Sequence, residues 1–493
     1  MKIKEFIKKY DNIFILIIIL TVSIGFSFCI QLGANDELWN FSNIYKMNNG
    51  YTIYKDLNVI ITPLFFYIGK FLFSIFGATY FTYRIYAISL IYTGLYFAIY
   101  QLLKKIKINK INAMLFTIIL LFINLLILLD GSYNTLAITF VIVGLIYSIK
   151  NKNTLFSNII QGLIVFLVFI SKQNIGVYYF LGLIIYQLLI YKKKSIKNIL
   201  VQGITFIVLF LGYLTYLKIN GNLYNFINYA FLGIGEFANR NIKINISGIV
   251  FIISEIIILV TIIYLIYTNK IKFKNEEKNI SILLGTVSIS MCLIAFPIIN
   301  IAHVLLASIT FFIFIFYLLD RMILNDILSS KKIISIKKAI IILLVIIGIC
   351  INIYFNIPYI LEITKANYYF KNSPYYGSIA TTETLDEIEE ICNYIKEQNK
   401  QGTEVKIISY YSNLYMNILN KNNGKMDLPF YGNLGKEGEK GLIFEINNLQ
   451  NTKILILKEE DNLYQESKKV TDYIRKNLEY EMEINRFYIY KSK

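Results

Sequence analysis

A small set of ionisable side chains stands beside long apolar runs, where charge is costly and function is the first thing to look for. Asp36 and Glu37 directly follow the first run. Lys55 and Asp56 sit side by side in the same polar stretch, and Asp130 closes the third run. Lys172 closes the fifth, Arg240 and Lys243 lie in a second polar stretch, and His303, the chain's one histidine, opens the tenth. Carboxylates act as bases or hold metals, and cations hold phosphates. Both kinds on one side of a bilayer suit a substrate with a lipid tail, a phosphate and a group to be transferred. Each residue also has a plainer reading. Asp36 and Glu37 are then solvated loop carboxylates, and Asp130 ends a helix in a turn with Ser132 and Asn134. Lys172 snorkels to the interface. Arg240 and Lys243 are ordinary loop charges, and His303 is a hydrogen-bonded interface residue.

The elements that carry these residues are read from composition. The chain has 493 residues, 56% hydrophobic and only 16% charged, against about 25% charged in soluble domains. Its apolar runs match the roughly 20 residues that cross a bilayer. Eleven spans are expected, near 12–31, 82–103, 112–129, 135–149, 156–171, 175–191, 198–217, 247–268, 279–297, 302–320 and 339–356. The segment 60–77 opens with Pro63, carries Lys70 and ends at Gly77, which fits a helix lying on the membrane surface.

The net charge of +17 does not indicate nucleic acid. Residues 359–493 hold 18 Lys/Arg and 20 Asp/Glu, which leaves 31 basic and 12 acidic residues in the membrane part. With 60–77 on the surface, the loops on the N-terminal side carry 23 Lys/Arg, Lys192 to Lys194 among them, and the opposite loops at most eight. That asymmetry places the N-terminus in the cytoplasm and the C-terminal segment outside. The expected organisation is a multi-pass plasma-membrane domain over 1–358, with its first external loop at 32–81, and a small soluble extracytoplasmic α/β domain over 359–493. The N-terminal apolar run has no small-residue cleavage site after it and reads as an uncleaved first helix. Four scattered cysteines form no CxxC or Cys/His cluster.

After Pro358 the pattern changes. TTETLDEIEEICNYIKEQNK and SKKVTDYIRKNLEY have helical spacing, while VKIISYY, KILILK and INRFYIYK read as strands. No phosphate-binding loop, dinucleotide fingerprint or metal motif appears in this segment.

Asp36-Glu37, GYTIYKD at 50–56, the Pro63-Leu64 helix and Arg84, taken in order, resemble the first loop of polytopic glycosyltransferases of the GT-C fold. Within them the resemblance is to the polyprenyl-phosphate-mannose protein mannosyltransferase and aminoarabinose transferase-like group (glycosyltransferase family 39-like). In that group an acidic pair follows the first helix, Tyr-x-Asp precedes a Pro-Leu helix on the membrane, and an Arg begins the second span. This chain has a single Pro63 where the group has two prolines, and His303-Val304 where it has His-Tyr. The resemblance implies transfer of a sugar from a polyprenyl-phosphate donor to an extracytoplasmic acceptor, with inversion and with Asp36 as the base. Glu37 would orient Asp36. Lys172, Arg240, His303 and Lys55 would stabilise the donor phosphate, and Asp56, Asp130 and Arg84 are further polar candidates for the site. No cofactor is implied, and a divalent metal ion stays open, since an acidic site beside a phosphate suits one. The competing class is a transporter or flippase of lipid-linked saccharides. Such proteins show paired repeats with broken helices at the midplane, whereas here no repeat is visible and the charges gather at one surface.

Overall fold

The computed structural model describes residues 10–28, 35–125, 131–150, 153–238, 246–296, 299–324, 368–369, 374–376, 378–380, 382–409, 411–426, 431–458 and 467–492. The described chain is mostly helical. Apolar sequence forms α1 (Asp11–Phe28), α4 (Tyr80–Lys105), α5 (Lys110–Leu125), α6 (Tyr133–Lys150), α7 (Leu155–Ser171), α8 (Gln173–Tyr191) and α9 (Ser195–Ile219). It continues in α10 (Ile246–Tyr267), α11 (Asn275–Met291) and α12 (Ile301–Leu324). Two helices precede α4: α2 (Asn35–Asn48) and α3 (Leu64–Phe76).

Ten of the eleven expected spans fall on helices; the eleventh, 339–356, lies outside the described residues. Among the described residues, five helical stretches are both long and apolar enough to cross a membrane: Tyr80–Lys105, Gln173–Ile219, Ile246–Tyr267, Asn275–Ala295 and Ala302–Arg321. The second is α8 and α9 joined by the 3-10 turn Lys192–Lys194, where Lys192 takes a left-handed φ of 50°. The chain is thus a polytopic helical membrane protein with a small sheet. α3 has 13 residues. At 1.5 Å per residue that is about 20 Å, short of the roughly 30 Å of a hydrocarbon core.

The chain divides into two compact units, one of 1–27, 87–212 and 242–359, the other of 28–86, 213–241 and 360–493. The second unit joins the C-terminal segment to 28–86, which holds the expected first external loop, and to 213–241. In it α13 (Thr382–Lys400), α14 (Ser412–Ile418), α15 (Gly438–Asn447) and α16 (Lys468–Asn477) accompany a four-stranded sheet of β3 (Glu404–Ile408), β4 (Thr452–Leu457), β5 (Glu479–Ile484) and β6 (Phe487–Lys491). A two-residue pair, β1 (Tyr368–Tyr369) and β2 (Ile379–Ala380), precedes it. The sheet order is β3-β4-β6-β5, with β3 and β4 parallel and the other pairs antiparallel. β4 is buried along its whole length, as a strand covered on both faces must be. Ile454, Ile456 and Tyr490 of the sheet pack with Leu442 and Ile446 of α15 and Val470 and Ile474 of α16.

Candidate functional site

The acidic pair opens a helix. Asp36 and Glu37 occupy the first turn of α2 and Lys46 its last, the charge order that suits a helix dipole. Beyond its first turn α2 is buried nearly all round, with Phe41 and Ile44 fully covered. Phe41 is ringed by aromatics: Tyr80 at 5.0 Å, Tyr375 at 5.5 Å, Tyr83 at 5.9 Å and Phe73 at 6.0 Å. Asp36 remains exposed while Glu37 is buried.

Glu37 meets Arg84. The Arg84 Nε–H donates to Glu37 Oε1 at 3.0 Å, and the guanidinium lies 4.5 Å from the centre of the Tyr80 ring. Arg84 is 1% exposed. It ends the first α-helical turns of α4, just before a π-helical stretch at Ile85–Leu90, an irregularity frequent at functional sites. The start of α4 is held from outside the helix. Thr79 caps it by accepting from the Thr82 N–H. The free N–H groups of Tyr80 and Phe81 donate to the carbonyls of Pro374 at 2.7 Å and Tyr376 at 2.9 Å.

The C-terminal segment also grips α2. Ser42 donates to Asn413 Oδ1 at 2.7 Å and to Asn417 Oδ1 at 2.9 Å, and Lys46 donates to Asn413 Oδ1 at 3.2 Å. Tyr375 donates to the Asn413 carbonyl at 2.9 Å.

Of the other candidates in this unit, Asp56 is engaged in its own turn. Its Oδ2 accepts from the Thr52 N–H at 2.7 Å, and its carbonyl accepts from Asn422 at 2.7 Å. Lys55 beside it is exposed. Lys172 and His303 belong to the first unit. Lys172 joins α7 to α8, half-buried, with its Nζ 4.3 Å from the Tyr133 ring centre. His303, in the first turn of α12, donates its backbone N–H to Asn300 Oδ1 at 2.9 Å and sets its Nδ1 2.7 Å from the same oxygen. Asp130, Arg240 and Lys243 lie outside the described residues. Among the described residues no group of three His, Cys, Asp or Glu side chains forms a metal site.

Two side chains of note escaped the sequence reading. Asn40 is fully buried on α2 with neither amide atom paired, and Glu255 is buried within α10, its Oε2 3.7 Å from Cys292 Sγ and its Oε1 unpaired. Glu255 was visible as a lone carboxylate inside a span. Asn40 gave no signal.

The class is given by likeness of fold: a polytopic helical membrane protein with the fold of a solved GT-C enzyme. The solved structure of the archaeal oligosaccharyltransferase AglB from Archaeoglobus fulgidus, in complex with an inhibitory peptide and a dolichol-phosphate, matches over 92% of this chain and 70% of its own, with 12% identity and a TM-score of 0.53. A second structure of the Archaeoglobus fulgidus oligosaccharyltransferase, tethered to an acceptor peptide containing the NVT sequon, covers 92% and 69% at 12% identity and a TM-score of 0.47. No family model and no curated protein matches the chain.

Proposed function

We propose that this protein is a membrane glycosyltransferase that moves a sugar from a polyprenyl-phosphate donor to an acceptor outside the cytoplasm, with inversion. The observation that carries the reading is the first turn of α2. There the exposed Asp36 stands beside a buried Glu37–Arg84 pair, in a fold shared with an oligosaccharyltransferase solved in complex with a dolichol-phosphate. Asp36 takes the proton of the acceptor hydroxyl as its oxygen attacks the anomeric carbon. The bond from that carbon to the phosphate oxygen breaks on the opposite face, and the lipid phosphate leaves with the electron pair. Glu37, tied to Arg84, fixes the turn that aims Asp36. The N-terminus is cytoplasmic and the C-terminal segment external.

Membranes containing the protein are incubated with a panel of radiolabelled polyprenyl-phosphate sugars and scored for transfer. Asp36→Asn keeps size and hydrogen bonding but accepts no proton, so turnover falls about 10²–10⁴-fold. A transporter would form no glycosidic bond with any donor, and full activity in Asp36→Asn would refute the mechanism. Orientation is read by cysteine labelling in intact cells: a cysteine at Ser467 reacts from outside, one at Lys193 does not, and the reverse pattern inverts the topology.

A further inference from the structure

Asn40 lies four residues after Asp36 and three after Glu37 on α2. Residues at those spacings share a helix face, and helical side chains lean toward the N-terminus. That spacing sets the Asn40 side chain on the face of the turn that carries both carboxylates. It is 0% exposed, and among the described residues neither Oδ1 nor Nδ2 has a hydrogen-bond partner. Nearby polar groups on α2 are engaged: Glu37 with Arg84, Ser42 with Asn413 and Asn417, and Asn43 Nδ2 with the Trp39 carbonyl at 2.9 Å. A buried amide without partners costs stability that an apolar side chain of the same shape does not. Such a group in a native protein calls for a reason, and a ligand is one.

We propose that Asn40 binds a hydroxyl of the substrate that Asp36 acts on, and so positions it for transfer; the proposal rests on the glycosyltransferase reading above. The amide itself selects the ligand class. A phosphate would meet only its N–H donors and a cation only its oxygen, whereas a hydroxyl both donates and accepts and matches the two ends together. Two carboxylates on the adjoining turn disfavour an anion further. Four residues of helix put Asn40 about 6 Å along the axis from Asp36, within the span of one sugar ring. The hydroxyl belongs either to the sugar or to the acceptor, and the two are separated by which KM responds.

The test uses the full chain in lipid nanodiscs, with Asn40→Leu and Asn40→Ala compared with wild type. The readouts are thermal midpoint and the KM values for a polyprenyl-phosphate hexose that wild type uses and for its acceptor. At least one variant is expected to melt at or above wild type while one of the two KM values rises about tenfold, the loss of one hydrogen bond. A raised donor KM assigns the sugar hydroxyl and a raised acceptor KM the acceptor's. Midpoints below wild type in both variants, or both KM values within threefold of wild type, overturn the proposal. Failure of wild type to use any donor is a separate result, which removes the glycosyltransferase reading and this inference with it.

Discussion

Arg84→Met is the perturbation that most directly probes how the first turn of α2 is held. The Arg84 and Glu37 side chains are 2% and 5% exposed, and Nε and Oε1 are 3.0 Å apart. At an effective dielectric near 20, unit charges at that distance attract by about 5.5 kcal/mol. Desolvation of the two ions offsets much of this, so the pair as a whole stabilises little relative to apolar residues of the same size. Removing one member is different, because the other charge stays buried and alone. Arg84→Met keeps the aliphatic stem, abolishes the charge and ends the contact with Tyr80, and is expected to cost about 3–5 kcal/mol. Glu37→Leu falls in the same range. The double variant Glu37→Leu/Arg84→Met lies within about 1 kcal/mol of wild type, because no orphan charge remains. A double-mutant cycle by chemical denaturation of the full chain in nanodiscs measures the coupling. A loss below about 1 kcal/mol for Arg84→Met, or a double variant as unstable as the two singles combined, refutes the argument that this ion pair fixes the turn.

Gly176→Ala places a Cβ 2.4 Å from the Phe169 Cα and 2.6 Å from its backbone N, so α7 and α8 must part. The expected cost is about 1–3 kcal/mol, whereas Gly203→Ala on α9, with nothing within 4 Å, serves as a neutral control; equal midpoints for the two would disprove the close approach. Tyr415 gives a pH signature. Its hydroxyl donates to Glu387 Oε1 at 2.5 Å, and burial together with that carboxylate holds its pKa above the ordinary value of 10. The unfolded chain loses this proton as pH rises through 10 while the folded chain keeps it, so stability declines above pH 10 by about 1.4 kcal/mol per unit. Tyr415→Phe removes one proton's worth of that slope in denaturation measured from pH 9 upward, and an unchanged slope excludes Tyr415 as its source.

The apolar helices were legible because a bilayer imposes a length and a polarity; five described stretches meet both, while α1, α5, α6 and α7 are apolar but shorter. In the C-terminal segment, α13, β3, β4, α16 and β6 were legible from helical spacing or from compact apolar runs. β5 was missed although EYEMEI alternates acidic and apolar residues at the strand period; it is an edge strand exposed along nearly its whole length. α2 was read as loop. Its polar residues are buried through partners far along the chain, Ser42 with Asn413 and Asn417 across 371 and 375 positions, and spacing within 35–48 cannot announce such partners. Glu37 was named from its place after the first apolar run and Arg84 from the resemblance, yet their pairing across 47 residues follows only from the fold. Glu255 is a lone carboxylate buried within α10, legible from its type alone because charge inside an apolar run is costly.

The C-terminal segment carries no motif of its own, and its contacts within the second unit give it a task. Asn413 and Asn417 hold α2 from the side of Ser42 and Lys46, and the carbonyls of Pro374 and Tyr376 hold the first N–H groups of α4. α2 supplies Glu37 and α4 supplies Arg84. One segment thus fixes both helices whose side chains form the buried pair. An ion pair at 3.0 Å in a dry setting tolerates little drift before the desolvated charges lose their compensation. The described part of the C-terminal segment is therefore placed to set the distance between the two helices that carry Glu37 and Arg84.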